Sequence, residues 1–241
     1  MTSPWLEGLN PQQQSAVKIT EGPLLILAGA GSGKTTVLVS RAGHLVSSHK
    51  AKAHEILVLT FTNKAAKELK ERVKSKIGKQ GEKIWAGTFH GFGLEFLKKN
   101  HKLADLPARF GLLDATDAKA VLKELLKDHK HFGKSGFDIE TLQGVMGALR
   151  SKKSPPVGLQ PEYYEVAEWI LPKYIDKMHA LGVVDFDGLI LRPTEILRNN
   201  SDLSYKYKNK FKYIMVDEFQ DTNKIQMDFI KAICNDQENL A

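Results

Sequence analysis

Nine residues near the start of the chain, AGAGSGKTT at 28–36, constrain its fold more than any other stretch. They contain three glycines and a single lysine, and they follow the apolar run LLIL at 24–27. Glycine loses more conformational entropy on folding than any other residue, so a glycine-rich turn after a buried strand needs a compensating role. The pattern therefore predicts a backbone that a ligand approaches closely.

The order of a strand, a small-residue loop and Gly33-Lys34-Thr35 at the start of a helix is that of a P-loop. In such a loop the backbone N–H groups and the helix N-terminus bind phosphate oxygens. We expect Lys34 to contact the β- and γ-phosphates and the Thr35 hydroxyl to hold Mg²⁺. The strict pattern has glycine six residues before the lysine, where this chain has Ala28. The predicted nucleotide-binding loop comprises Ala28, Gly29, Ala30, Gly31, Ser32, Gly33, Lys34, Thr35 and Thr36.

An acidic strand end supplies the second half of a nucleotide-hydrolysing site. The stretch YIMVDE at 213–218 places two carboxylates directly after apolar residues. Asp217 is placed to hold Mg²⁺, and Glu218 to polarise the attacking water as a general base. An acidic pair that merely ends a strand at the surface is common, but its combination with a P-loop predicts nucleotide hydrolysis.

Short apolar runs alternate with helical patterns along the chain, which is typical of a parallel α/β sheet. Between about 104 and 182 no strand is convincing, and apolar residues follow helical spacing. We predict an α/β domain formed by 1–103 and 183–241, interrupted by a mostly helical insertion at 104–182. The predicted strands are 24–27, 56–60, 84–88 and 213–217.

The composition indicates an anionic partner and an ordinary globular protein. Lys and Arg number 35 against 28 Asp and Glu, and this excess favours nucleic acid as the partner. The single cysteine, Cys234, allows no internal disulfide, as expected in a reducing cytoplasm. The sequence begins with no signal peptide, and no apolar run approaches the roughly 18 residues that span a bilayer. We therefore expect a cytoplasmic protein with no membrane partner.

Six stretches match, in the same order, the motifs of superfamily 1 DNA helicases of the UvrD/Rep/PcrA type, and the chain resembles that family over essentially its whole length. The resemblance implies a RecA-like fold, ATP and Mg²⁺ as cofactors, and 3′-to-5′ movement on single-stranded DNA and at single-strand/double-strand junctions. The stretches are LNPQQQSAV at 9–17, AGAGSGKT at 28–35, TFTNKAAKEL at 60–69, GTFHGF at 87–92, VDFDGLI at 184–190 and DEFQDTN at 217–223.

The resemblance also assigns roles to single residues. It places Gln13 against the adenine edge and makes Gln220 the link between the γ-phosphate and DNA binding. Together with Gln220, it implies that Lys34, Asp217 and Glu218 are catalytic, with Thr35 and Asp217 holding the metal. Relatives often carry arginine where this chain has Thr36, so Arg41 is a candidate to replace its contact with adenine.

Two of the matched stretches carry the candidate DNA contacts. Aromatic stacking combined with cationic contacts holds single strands without sequence preference, and these stretches offer both. Thr62 is in addition predicted to be the N-cap of a helix. His90 alone is as often a structural histidine as a ligand contact. The predicted DNA-binding residues are Phe61, Thr62, Asn63, Lys64, Thr88, Phe89 and His90.

The family's remaining motifs and its second RecA-like domain do not occur in this sequence, which ends at NDQENLA. In that family the second domain supplies arginines that stabilise the transferring phosphate, and such arginines contribute about 10³-fold or more to turnover. We therefore predict that this chain alone binds ATP weakly, hydrolyses it slowly and unwinds nothing. Three alternatives stay open: a truncated non-motor DNA-binding paralogue, the motor part of a helicase–nuclease subunit, and a P-loop kinase, in which DEFQDT and TFTNKAA would have no role.

Overall fold

The structure, a computed structural model, describes residues 4–29, 31–127, 129, 138–151 and 158–241. Contacts divide the chain into two compact units. The first unit combines Met1–Phe92 with Leu197–Ala241, and the second unit is Gly93–Ile196. The domain boundaries at 103/104 and 182/183 stay predictions, since the contact division falls at other residues.

The described residues form five strands and ten α-helices joined by short turns. The strands are β1 (Ile56–Thr60), β2 (Trp85–Thr88), β3 (Gly111–Leu113), β4 (Val183–Asp185) and β5 (Tyr213–Val216). The helices are α1 (Pro11–Lys18), α2 (Lys34–Ser47), α3 (Asn63–Ile77), α4 (Phe89–Lys99), α5 (Ala115–Leu126), α6 (Ile139–Arg150), α7 (Pro161–Leu181), α8 (Gly188–Asn199), α9 (Ser201–Lys210) and α10 (Lys224–Ile233). No helix in this part of the chain is long and apolar enough to cross a membrane.

A three-stranded parallel sheet in the order β2-β1-β5 organises the first unit. Leu57 of the central strand lies opposite Trp85 on one side and Ile214 on the other. Strands covered on both faces have continuous apolar sequences, and all of β1 and β5 is buried. This confirms the predicted parallel α/β architecture and three of its four predicted strands. The carboxyl end of β5 delivers Asp217 to the sheet edge.

The predicted strand at 24–27 is wrong, because in the described chain this run forms no ladder with β5. Its backbone lies beside the chain end instead: Leu24 N–H donates to the carbonyl of Leu240 at 2.8 Å. Leu240 in turn forms an isolated parallel bridge with Ile214. The side chains of Leu25 and Leu27 are 67% and 87% exposed. An apolar run becomes a strand only where a neighbour offers it a row of hydrogen bonds.

The second unit combines helices α5, α6 and α7 with a two-stranded parallel sheet, β3-β4. The sequence predicted no strand between 104 and 182, and β3 corrects that prediction. Gly111 lies opposite Val183, so the strand forms by pairing with a distant segment. Three residues are too few to show a period, and therefore the apolar pattern carried no signal for this strand.

A buried ion pair lies at the end of β4. Arg150 donates to both carboxylate oxygens of Asp185, at 2.5 and 3.1 Å. The Tyr174 hydroxyl, at 3.3 Å, and the Gly188 N–H, at 2.8 Å, also donate to this carboxylate. Burial opposes the charge on Arg150, yet the hydrogen bonds and charge of Asp185 raise its pKa. A buried pair with its remaining hydrogen-bonding capacity satisfied in this way is tolerated inside a fold.

Candidate nucleotide-binding site

The loop before α2 has the backbone that its glycines predict. Gly31 and Gly33 adopt φ angles of +74° and +87°, a region that side chains disfavour. The Ser32 hydroxyl donates to the carbonyl of Gly29 at 2.6 Å, which closes the turn. Gly33 is the N-cap of α2 and supplies no side chain there, so the first N–H groups of the helix are left for a ligand. Ala30 lies outside the described residues.

Lys34, the first residue of α2, connects the loop to the acidic strand end. Its Nζ lies 3.5 Å from Oε1 of Glu218 and 3.4 Å from the carbonyl oxygen of Ala28. Its side chain is 26% exposed. The structure therefore brings the predicted phosphate-binding lysine and the predicted general base into direct contact.

The two carboxylates after β5 have opposite environments. Asp217 is buried, and burial followed by the charge of Glu218 raises its pKa. Glu218 accepts a hydrogen bond from the Gln220 amide at 2.5 Å, and this bond together with the charge of Lys34 lowers the pKa of Glu218. Glu218 also has φ of +53°, a strained conformation of the kind found at functional sites. The shifts thus make Asp217 the carboxyl that more readily takes up a proton and keep Glu218 ionised.

A cavity of about 710 Å³ lies between the 24–28 segment and the end of β5. Its polar end is formed by Lys34, Asp217, Glu218 and Gln220, and its apolar end by leucines of the 24–27 run. The volume falls within the range of small-molecule sites, about 300–1,000 Å³. All four predicted catalytic residues therefore line one cavity. Gln13, Thr35 and Thr36 do not line this cavity.

Oxygen ligands for Mg²⁺ are available at this site. Asp217 directly follows β5, and Thr35 lies in the first turn of α2 beside Lys34. Mg²⁺ is usually held by one or two protein oxygens, waters and substrate phosphates, and this donor set fits that coordination. Among the described residues no group of three or more His, Cys, Asp and Glu could hold a metal by itself.

Gln13 lies next to the phosphate loop at the start of α1. Its amide nitrogen donates to the carbonyl of Ser32 at 2.9 Å. Its amide oxygen accepts from the N–H of Asn10 at 2.9 Å, completing a capping box. One polar atom of the side chain is therefore bonded to the phosphate loop and the other to the start of α1.

Arg41 does not face the loop, so the interpretation of this residue as an adenine contact is wrong. Its side chain is 1% exposed and donates to backbone carbonyls of Ala16 and Ile19 at the end of α1. The sequence did carry a signal for this role, since an arginine inside the apolar run of α2 must find buried acceptors.

The predicted DNA contacts lie at the starts of α3 and α4. Asn63 and Lys64 are exposed in the first turn of α3. The ring of Phe61 is half-buried, and its centroid lies 5.5 Å from that of the Phe89 ring. Because Phe89 is itself buried, its ring packs against Phe61 on the side of the protein interior. Thr88 accepts from the Gly91 N–H at 3.0 Å, and His90 is half-buried.

The predicted N-cap role of Thr62 is confirmed, because its hydroxyl accepts from the Ala65 N–H at 3.1 Å. Thr62→Ala should lower the free energy of unfolding by about 1 kcal/mol, since the first turn of α3 then loses its cap. Chemical denaturation followed by circular dichroism measures the change. Thr62→Ser keeps a hydroxyl acceptor and is the control; equal losses in both variants would contradict the capping role.

Comparison with known proteins gives the same family for nearly all of this chain. The family model described as the UvrD/REP helicase N-terminal domain matches residues 9–241. The ATP-dependent DNA helicase PcrA of Staphylococcus aureus strain Mu50 is 36% identical over 239 residues, which cover 98% of this chain and 33% of PcrA. PcrA of Staphylococcus epidermidis strain ATCC 12228 is 35% identical over the same shares. The chain thus spans about a third of the length of these relatives.

Proposed function

Because the chain belongs to the UvrD/REP helicase N-terminal domain family, we propose that it is the ATP-binding motor portion of a DNA helicase that moves 3′ to 5′. The observation that carries the proposal is the contact of Lys34 with Glu218, next to Asp217, in a cavity that all three residues line. A P-loop lysine and an acidic strand end in contact are the two halves of a nucleotide-hydrolysing site.

The chain's own residues divide the work of hydrolysis. Lys34 and the N–H groups of the loop at 28–36 bind the phosphates, and Thr35 and Asp217 hold Mg²⁺. When bound, Mg²⁺ neutralises charge on the β- and γ-phosphates. Glu218, kept ionised by its lowered pKa, accepts the proton of the attacking water. Gln220 orients Glu218 through its hydrogen bond and responds to the γ-phosphate.

Gln13 is proposed to recognise the adenine base. Its amide can both donate and accept, as the edge of adenine requires. Its present partner, the carbonyl of Ser32, belongs to the phosphate loop itself. Recognition of the base is therefore linked to the conformation of the loop.

Single-stranded DNA is proposed to bind across the starts of α3 and α4. Phe61 offers an aromatic surface backed by Phe89, while Asn63 and Lys64 reach phosphates. Helix α3 carries six Lys and Arg against two Glu, which adds a positive field. Thr62, Thr88 and His90 complete the candidate contacts. The preference for junctions between single and double strands rests on the family alone.

We favour the motor portion of a helicase over a non-motor DNA-binding paralogue, because the side chains that hydrolysis needs, Lys34, Asp217 and Glu218, are all present. We propose that a second RecA-like domain completes the ATP cleft in the longer protein, and that this chain alone turns over slowly. A helicase–nuclease subunit would have the same motor portion. It would differ from a helicase without a nuclease only outside the 241 residues of this chain.

Binding of a fluorescent 16-nucleotide oligothymidine tests the DNA part of the proposal. Phe61→Ala should raise the dissociation constant by about fivefold to tenfold, because stacking on one base contributes about 1 kcal/mol or more. Tyr205→Ala is the matched control, since Tyr205 is an exposed aromatic residue of the same unit outside the site. Equal binding by wild type and Phe61→Ala would contradict the assigned DNA site.

ATP hydrolysis with and without the same oligonucleotide tests the motor part. We expect measurable binding of MgATP and negligible turnover in both conditions, because the second half of the cleft is lacking. Turnover that DNA stimulates in this chain, or unwinding of a tailed duplex, would contradict the incomplete cleft. Lack of nucleotide binding would contradict the proposed function itself.

A further inference from the structure

Arg41 is a buried charge for which the nucleotide chemistry has no use. It lies on α2, seven residues after Lys34, and its side chain is 1% exposed. An arginine stays charged at all physiological pH values, so burying it is unfavourable unless its N–H groups find acceptors. Burial lowers the pKa of Arg41, while the nearby Tyr213 and Glu21 act in the opposite direction.

The acceptors of Arg41 all belong to one short segment, the end of α1 and the turn after it. Its Nη1 donates to the carbonyls of Ala16, at 2.8 Å, and of Ile19, and its Nη2 lies 3.5 Å from the carbonyl of Thr20. The last carbonyls of a helix lack partners within the helix and carry the negative end of its dipole. Arg41 therefore caps the carboxyl end of α1 from a neighbouring helix.

The other end of α1 carries Gln13, next to the phosphate loop. Gln13 donates to the carbonyl of Ser32 at 2.9 Å, and a Cβ added at Gly33 would lie 3.0 Å from the same amide nitrogen. Between the two ends, Val17 of α1 and Val37 of α2 share a buried apolar cluster. Helix α1 thus contacts the loop-and-α2 segment at three points, with Arg41 holding the end far from the loop.

The lengths of the two helical segments agree with this arrangement. The seven residues from Lys34 to Arg41 span about 10.5 Å of helix, and the six from Gln13 to Ile19 span about 9 Å. Helix α1 has only eight residues, and helices shorter than about 12 residues are marginal without tertiary contacts. Its position, and so that of Gln13, depends on contacts from outside the helix.

We propose that Arg41 is a positioning residue for nucleotide recognition: by holding the carboxyl end of α1 on α2, it fixes Gln13 beside the phosphate loop. Recognition of the base then depends on a side chain that never touches the nucleotide. This inference rests on the proposed function, because it takes Gln13 to contact the base.

The test compares binding of MgATP with binding of magnesium tripolyphosphate, which has the phosphates without the base, by calorimetry on the 241-residue protein. Arg41→Met removes the donors and keeps an apolar chain of similar length. It should lower the preference for MgATP by about threefold to tenfold and leave tripolyphosphate binding within about twofold. Gln13→Ala should give the same loss, and the double variant no further loss, because the two residues act in one chain of contacts.

Arg72→Met is the matched control, since Arg72 is an exposed arginine on α3 paired with Glu68. It should bind both ligands as wild type does. Equal loss of both ligands in Arg41→Met would mean a general structural role and would overturn the inference. So would additive losses in the double variant.

Arg41→Lys keeps the experiment decisive where Arg41→Met does not fold. A lysine offers one point of charge and cannot span three carbonyls as the guanidinium does, so we expect an intermediate loss of about twofold to fourfold. Full wild-type preference in Arg41→Lys would overturn the inference. A Gln13→Ala variant with unchanged preference would instead remove the proposed base contact, and this inference with it.

Discussion

Lys34→Ala should weaken MgATP binding by about tenfold to hundredfold, because a hydrogen bond to a charged group contributes about 1.5–3 kcal/mol. Lys34 is only 26% exposed and lies 3.5 Å from Glu218, so its charge acts at short range in a partly desolvated site. In the variant, no positive charge at position 34 offsets the repulsion between the triphosphate and the carboxylates of Asp217 and Glu218. Isothermal titration calorimetry with MgATP measures the change.

The matched control is Lys50→Ala, which removes a lysine of the same unit that pairs with Glu21 at 3.2 Å. It should leave the dissociation constant within about twofold, because this exposed pair lies away from the loop. In Lys34→Ala/Glu218→Gln, part of the lost affinity should return, since one repelling carboxylate is neutralised. Equal affinities of wild type and Lys34→Ala would contradict the phosphate-binding role.

Gly93→Ala should lower the free energy of unfolding by about 3 kcal/mol or more, at the upper end of the cost of overpacking. A Cβ at this position of α4 would lie 1.7 Å from the carbonyl oxygen of Leu189 and 2.8 Å from its carbonyl carbon. Both are backbone atoms of α8 that no side-chain rotation can move aside. Urea denaturation followed by circular dichroism measures the loss, and a variant recovered only as aggregate agrees with the prediction.

Gly144→Ala is the matched control, because Gly144 lies inside α6 of the same unit and a Cβ there meets nothing within 4 Å. Alanine loses less conformational entropy than glycine when it is fixed in a helix, so this change should raise the free energy of unfolding by about 0.5–1 kcal/mol. Opposite signs for the two substitutions are therefore expected. Similar small effects in both would contradict the close packing of α4 on α8.

Local sequence patterns singled out side chains that the fold brings together, and the roles of these residues stay predictions. Lys34, Asp217 and Glu218 occur in local patterns whose chemistry needs those residues in that order, and the fold brings them to the lining of one cavity. Strands β1, β2 and β5 were predicted because each is an apolar run buried in the sheet. The run at 24–27 is similarly apolar, but it forms a strand only if a neighbouring segment offers it hydrogen bonds. Its own residues carry no information about that segment.

Long-range contacts explain the other differences. Strand β3 exists through pairing with β4, some seventy residues later, and three residues show no period of their own. The apolar run around Arg41 indicates that this arginine needs buried acceptors, but the carbonyls that it contacts lie more than twenty residues before it and could not be identified from neighbouring residues. The family resemblance predicted Phe89 as a DNA contact, but its ring is buried, and this burial follows from the packing of the unit.

In the proposed mechanism, the contact between Lys34 and Glu218 has a consequence for the timing of hydrolysis. Before ATP arrives, the hydrogen bond from Gln220 lowers the pKa of Glu218, and Lys34, as counter-ion of the carboxylate, lowers it further and reduces its basicity. Incoming phosphates compete with Glu218 for the ammonium group of Lys34. When the phosphates bind this group, the carboxylate of Glu218 is released from the ion pair. Glu218 would thus become a stronger base only once the nucleotide is bound, so that nucleotide binding would itself activate the base for hydrolysis.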